Sequence, residues 1–210
     1  DTNATVFALE RLVTYYPKKE YWVDLLSRMQ RKPGFSDRLV LDTYRLSLAT
    51  GSLSSAADFM EMGQLALQAG NEEEARQVVD KGFAAGVLGS GAEAERHKRL
   101  RDLVARKVAE AKANQAAAEA EAKAAKDGDG LVKLGFARAM GGDTAAGLQT
   151  MQQGIAKGGL KRPEDAKLHL GIAQVLAGDA KAQATLRSVG GSDGTADLAR
   201  LWSLYAKRRN

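Results

Sequence analysis

Apolar side chains in this chain recur at helical spacing. Leu100, Val104 and Val108 stand four apart and Ala111 continues the line, which sets all four on one face of a helix. Ala75 with Val79, and Ala182 with Leu186, keep the same interval. Val and Ile are sparse, and no alternating run of them marks a strand. The commonest residues are good helix formers, Ala, Leu, Glu, Lys, Arg and Gln, and Pro occurs only at 17, 33 and 163. The pattern predicts an all-α chain. Helical hairpins are expected near 20–50, 55–86, 129–158 and 163–190, with single helices at 1–18 and 195–208.

A phrase repeats within that pattern. "VKLGFARAMGGDTAAGLQTM" at 132–151 and "LHLGIAQVLAGDAKAQATL" at 168–186 both carry Leu-Gly, six residues, then Gly-Asp. Gly135 and Gly171 are 36 apart, as are Gly142 and Gly178, and Asp143 and Asp179. Two periods before Gly135 stands Gly63, with Gly70 and Asn71 in the matching places. A fixed period of this size signals stacked helical hairpins. A mid-helix Gly costs about 1 kcal/mol against Ala, so Gly63, Gly135 and Gly171 point to close approach by a second helix. Gly70, Gly142 and Gly178 suit the left-handed stop of the first helix. Asn71, Asp143 and Asp179 suit the cap of the second.

These residues resemble the tetratricopeptide repeat family. The succession Phe59, Met62-Gly63, Gly70, Ala75, Val79 follows its pattern, as does Leu131, Leu134-Gly135, Gly142, Gly147, Met151. The copy at 167–189 keeps Leu170-Gly171 and Gly178 and fits with one residue deleted before Ala182. "ALERLVTYYPKKEYW" looks like a second helix, a Pro break, and Trp22 opening the next repeat. The period is 36 rather than about 34. Arg138 and Gln174 stand where the family often has Tyr. The whole chain also resembles the C-terminal half of proteobacterial tetratricopeptide proteins exported to the periplasm, through "YYPKKEYW", "GFAAGVLG" and "GLKRPEDAKLHLG". The resemblance implies a superhelical solenoid and a periplasmic location. The chain opens on Asp1 without a signal-peptide pattern, so a fragment or a mature form is expected.

The period fails once. The repeat between Gly63 and Gly135 should turn near Arg106, yet no Gly or Pro occurs from Ala92 to Asp127. One continuous helix over 92–126 is expected, roughly 50 Å long at 1.5 Å per residue. A hairpin breaking near Asn114 is the alternative. Its Ala-rich second half has little large apolar surface to bury and should be its weakest part. The expected domains are an N-terminal block at 1–90, a linking helix at 91–128 and a C-terminal block at 129–210 with a capping helix.

Composition adds mainly exclusions. The 210 residues are 44% hydrophobic and 27% charged, as in a folded protein. No apolar stretch approaches the roughly 18–20 residues of a membrane span, so no transmembrane segment is expected. There is no Cys, which excludes disulfides. The net charge of +5 is spread among interleaved acids and bases, the pattern of a solvated surface. "DGDG" at 127–130 lacks the later ligands of a calcium loop, since Leu131 and Arg138 fill those places. "GGSDGTAD" at 190–197 lacks the Gly-Lys-Ser/Thr of a P-loop. His97 and His169 are 72 residues apart, too few and too scattered for zinc. His97 in "RHKRLR" reads as part of a solvated helix face. No catalytic constellation emerges, and neither a cofactor nor a small-molecule substrate is expected. Eight of the twelve aromatic residues precede residue 60, which offers repeat-core packing or a recognition patch.

The function expected is non-enzymatic: a scaffold holding a protein or peptide in a concave groove. The resemblance places that groove on the first helices, at Met60, Gln64 and Leu67, at Val132, Phe136 and Met140, and at Leu168, Ile172 and Val175. Phe136 and Ile172, each one residue past a packing Gly, should carry the apolar anchors of the bound segment, with Arg138 beside them. Two alternatives stand. Nucleic acid or an anionic surface could bind the basic stretches 96–107 and 207–209. The long Ala-rich helix could instead mediate self-assembly.

Overall fold

The structure is a computed structural model and describes residues 2–207. Its described residues form eleven α-helices and no strand. In chain order these are α1 (Thr2–Tyr15), α2 (Lys19–Gln30), α3 (Val40–Ala49), α4 (Ala56–Gln68), α5 (Glu72–Ala84) and α6 (Ala94–Ala124). There follow α7 (Asp129–Met140), α8 (Thr144–Lys157), α9 (Pro163–Ala177), α10 (Ala182–Arg187) and α11 (Thr195–Ala206). Arg208 and Arg209, the end of the basic stretch at 207–209, lie outside the described residues.

The chain packs as two units, one made of 1–53 with 162–210, the other of 54–161. This grouping differs from the sequential blocks expected at 1–90 and 129–210. In the first unit α11 touches α1, α3, α9 and α10. Trp22, Leu25, Leu46, Leu168, Ile172, Leu198, Leu201 and Trp202 are its fully buried large side chains, among others. Polar ties between the two ends of the chain explain the pairing. Arg38 donates two bonds of 2.8 Å to Asp165, one of 2.7 Å to Asp193 and one of 3.1 Å to Thr195. Glu10 pairs with Arg200, and Lys32 with Asp197. Asp42, buried in α3, pairs with Arg45 at 2.6 Å and with His169 of α9 at 3.0 Å.

The second unit is the α4/α5 hairpin, the long helix α6 and the α7/α8 hairpin. Here the repeated glycines act as read. A Cβ built on Gly63 would lie 2.9 Å from Val79 Cγ2. One on Gly135 would lie 2.6 Å from both the Gly147 carbonyl oxygen and the Met151 nitrogen. Gly147 faces Ala139 N and Gly135 O as tightly, so α7 and α8 meet backbone to backbone. In the first unit a Cβ on Gly171 would meet Leu186 Cδ2 at 2.5 Å. Gly70, Gly142 and Gly178 all have positive φ, the left-handed stop that Gly adopts without a Cβ clash.

The capping residues follow the reading only in part. Asn71 and Asp143 occupy the N-cap positions of α5 and α8, but neither side chain makes a capping bond. Asp179 accepts from the Lys181 N–H at 2.9 Å. The full capping box lies elsewhere, where Ser55 and Asp58 bond each other's backbone N–H at the start of α4.

Helix α6 runs unbroken past Asn114 for 31 residues. No helix breaker interrupts it, and pairs at i,i+3 and i,i+4 such as Glu95–Lys98, Lys107–Glu110 and Glu119–Lys123 line its surface. Its first half buries His97, Leu100, Val104 and Val108. His97 departs from the solvated-face reading. It is 5% exposed, and its Nδ1 accepts the Gly89 N–H at 3.0 Å, which pins the loop before α6.

Candidate functional site

The second unit holds an open cleft of about 890 Å³. Three elements bound it. One wall is α6 from Lys107 on, with Ala125 just past its end; the other is the α7 face carrying Gly130, Leu134, Ala137 and Arg138, with Gly141 after it; and the end is Gly70 with Glu72 and Glu73 of the first turn of α5. The walls converge where a Cβ on Gly130 would lie 3.2 Å from Ala122 Cβ. At the other end a Cβ on Gly141 would lie 3.1 Å from Glu73 Cβ, and Gln77 donates to the Gly141 carbonyl at 2.7 Å. The cleft thus opens because α6 outruns the α4/α5 hairpin before it reaches α7.

The floor is apolar and mostly of small side chains, Ala111, Ala118, Ala122 and Ala137, with Val108 and Leu134. Charged groups of both signs form the rim, among them Lys107, Glu110, Lys112, Glu121, Lys133 and Asp143. Arg138 crosses from α7 to Glu119 of α6 and also reaches the Thr150 hydroxyl at 3.5 Å. Glu73 takes both its hydrogen bonds on Oε1, from Arg76, while its shielded Oε2 has none. Those bonds from Arg76 hold its carboxyl below the usual range against the opposing effect of burial. Small residues let another backbone approach, and the charged rim can fix its direction. Among the described residues no group of three or more His, Cys, Asp or Glu side chains could hold a metal ion.

No protein-family model, curated protein or solved structure matches the chain.

The nine groove residues carried over from the resemblance do not line this cleft. Met60, Val132, Phe136, Met140, Leu168, Ile172 and Val175 are buried, at 8% exposure or less. Gln64 and Leu67 are half-buried on α4. Phe136 and Ile172 are buried side chains in different units. The reason is helical phase. On α7 the positions 131, 132, 135, 136, 139 and 140 are buried, and the cleft receives 130, 133, 134, 137, 138 and 141. A one-residue shift in register rotates a helix face by about 100°. The cleft face carried a signal, because Gly130, Lys133, Ala137, Arg138 and Gly141 are small or charged at helical spacing. The α6 wall carried none, since nothing local says which side of an Ala-rich helix meets a distant one.

Proposed function

We propose that the protein is a non-enzymatic interaction scaffold of tetratricopeptide-like hairpins, and that the cleft of the second unit receives a segment of a protein partner. The observation that carries this reading is the cleft itself, an apolar floor of small side chains inside a charged rim. The common register of Gly63, Gly135 and Gly171 as packing glycines supports the kinship with helical repeats. A solenoid interrupted by one overlong helix leaves such a cleft where the missing turn would stand. The bound segment is read as one with apolar anchors on Leu134 and Ala137 and charged groups toward the rim.

The basic stretch at 96–107 favours nucleic acid less. Arg96, Lys98 and Lys107 are paired with Glu93, Glu95 and Glu110, and Arg101 lies against Asp80 and over the Phe83 ring.

Peptides selected against the full chain from a displayed random library test the proposal. They are expected to carry apolar anchors and to perturb backbone resonances of 107–125 and 130–143. Ala118→Glu with Ala137→Glu puts charge on the floor, at positions with room for it, and should weaken such peptides at least tenfold, about 1.4 kcal/mol. Selected peptides that ignore this double variant while it keeps its helicity would remove the cleft from the reading.

A further inference from the structure

Five large apolar side chains are well exposed among the described residues, and four of them fall within residues 7–23: Phe7, Tyr15, Tyr16 and Val23. Helix α1 turns Leu9 and Val13 inward. Its exposed positions 4, 7, 8, 11 and 15 hold Ala, Phe, Ala, Arg and Tyr, with no carboxylate. A helix apolar on both faces is ordinarily covered on both. Arg11 lies over two rings of this outer face, 5.9 Å from the Phe7 centroid and 5.8 Å from that of Tyr15. The turn that follows exposes Tyr16 and Lys18, and α2 opens on the exposed Lys19. The neighbouring acids are mostly engaged, Glu10 by Arg200 and Asp24 by Arg28, which leaves Glu20 against three cations.

We propose that this outer face of α1 and the turn after it dock on an anionic lipid surface. Phe7, Tyr15 and Tyr16 enter the headgroup layer, and Arg11, Lys18 and Lys19 meet its phosphates. The Tyr rings, apolar with a polar tip, favour that depth, and Phe7 adds apolar area beside them. Cations beside an acidic leaflet add to the attraction, and a weak apolar contact needs such a second contribution. Charge and ring geometry choose this occupant. Single-stranded nucleic acid would need open ring faces for stacking, and Arg11 already lies over two of them. No described helix is long and apolar enough to cross a membrane, so the contact proposed is with the surface.

The test is sedimentation of the full chain with phosphatidylcholine vesicles, with and without phosphatidylserine. Binding is expected to the acidic vesicles, at least tenfold weaker to the neutral ones, and to fall as salt rises. The variant F7S/Y15S/Y16S and the variant R11Q/K18Q/K19Q should each lose at least tenfold in affinity with helicity unchanged. Should either triple variant unfold, the single changes Tyr16→Ser and Lys18→Gln carry the test, each with a severalfold loss expected. Equal binding to both vesicles, no binding to either, or variants that bind like the parent would overturn the proposal. So would a single-stranded oligonucleotide that binds this face while vesicles do not. A doubled mass in light scattering that the Ser variant abolishes, without vesicle binding, would assign the face to a second copy of the chain.

Discussion

Replacing Gly135 by Ala should destabilise the second unit, although the intrinsic preference of a helix points the other way. In an open helix the change would stabilise by about 1 kcal/mol. Here the new methyl would lie 2.6 Å from the Gly147 carbonyl oxygen and from the Met151 nitrogen. Favourable carbon contacts are about 3.5–4.0 Å, so the overlap approaches 1 Å. The atoms it meets are backbone and cannot rotate away, so α7 and α8 must separate. That loosens the other close approaches of the same seam, Gly147 on Ala139 and Gly154 on Val132. Overpacking costs of about 1–3 kcal/mol are usual where side chains can adjust, and a rigid backbone seam belongs at or above the top of that range. Subtracting the propensity gain leaves a net loss of about 2 kcal/mol. Gly171→Ala is the control, because its methyl meets the side chain of Leu186, with the nearest backbone atom at 3.6 Å. Its net effect should stay within about 1 kcal/mol of zero. Trp22 and Trp202 both belong to the first unit, so far-UV circular dichroism under urea is the assay for Gly135. With a slope of about 2 kcal/mol per molar, the Gly135→Ala midpoint should fall by about 1 M. A midpoint that stays put or rises would refute the backbone contact between α7 and α8.

Arg38→Met strips Asp165, Asp193 and Thr195 of a shared donor and should cost about 2 kcal/mol, less than a fully buried pair because Arg38 is partly solvated; Trp fluorescence in urea reads it, and an unchanged midpoint counts against the tie. Burial alone would raise the Asp42 carboxyl, but the charges and hydrogen bonds of His169 and Arg45 outweigh it and hold it at about 2. The folded pKa is thus below the unfolded value of 3.8, so this stabilisation is present in full above that value and is lost as pH falls from there through about 2. It is worth about 2 kcal/mol; Asp42→Asn should flatten that limb of the stability profile, and an unaltered limb would show that another acid governs it. In hydrogen exchange, amides at 112–118, where every side chain is exposed, should exchange faster than those at 97–108. Protection should return at 119–124, where Glu119 holds Arg138, Ala122 is buried and Lys157 donates to the Lys123 carbonyl. A steady decline to the end of α6 would mean that these ties do not hold.

What was legible in the sequence rests on interactions within a few residues. The all-α class follows from apolar spacing of three and four, and the unbroken α6 from the lack of any Gly or Pro across 92–127. The left-handed stops at Gly70, Gly142 and Gly178 depend on one residue's freedom at φ, so the 36-residue period was enough to place them. Packing at Gly135 and Gly171 was also visible, because a Gly repeated inside helices has a cost that only a close neighbour explains. The helix faces were harder. Phe136 sits one residue beyond a packing Gly and is buried with it, and the next step of about 100°, to Ala137, reaches the cleft. Tertiary structure alone decided the rest. Arg38 and Asp165 are 127 positions apart, as are Asp42 and His169, and no local pattern pairs them. The cleft exists only because α6 and α7 diverge above the start of α5. An Ala-rich helix carries no large side chain to declare beforehand which face its distant neighbour will meet.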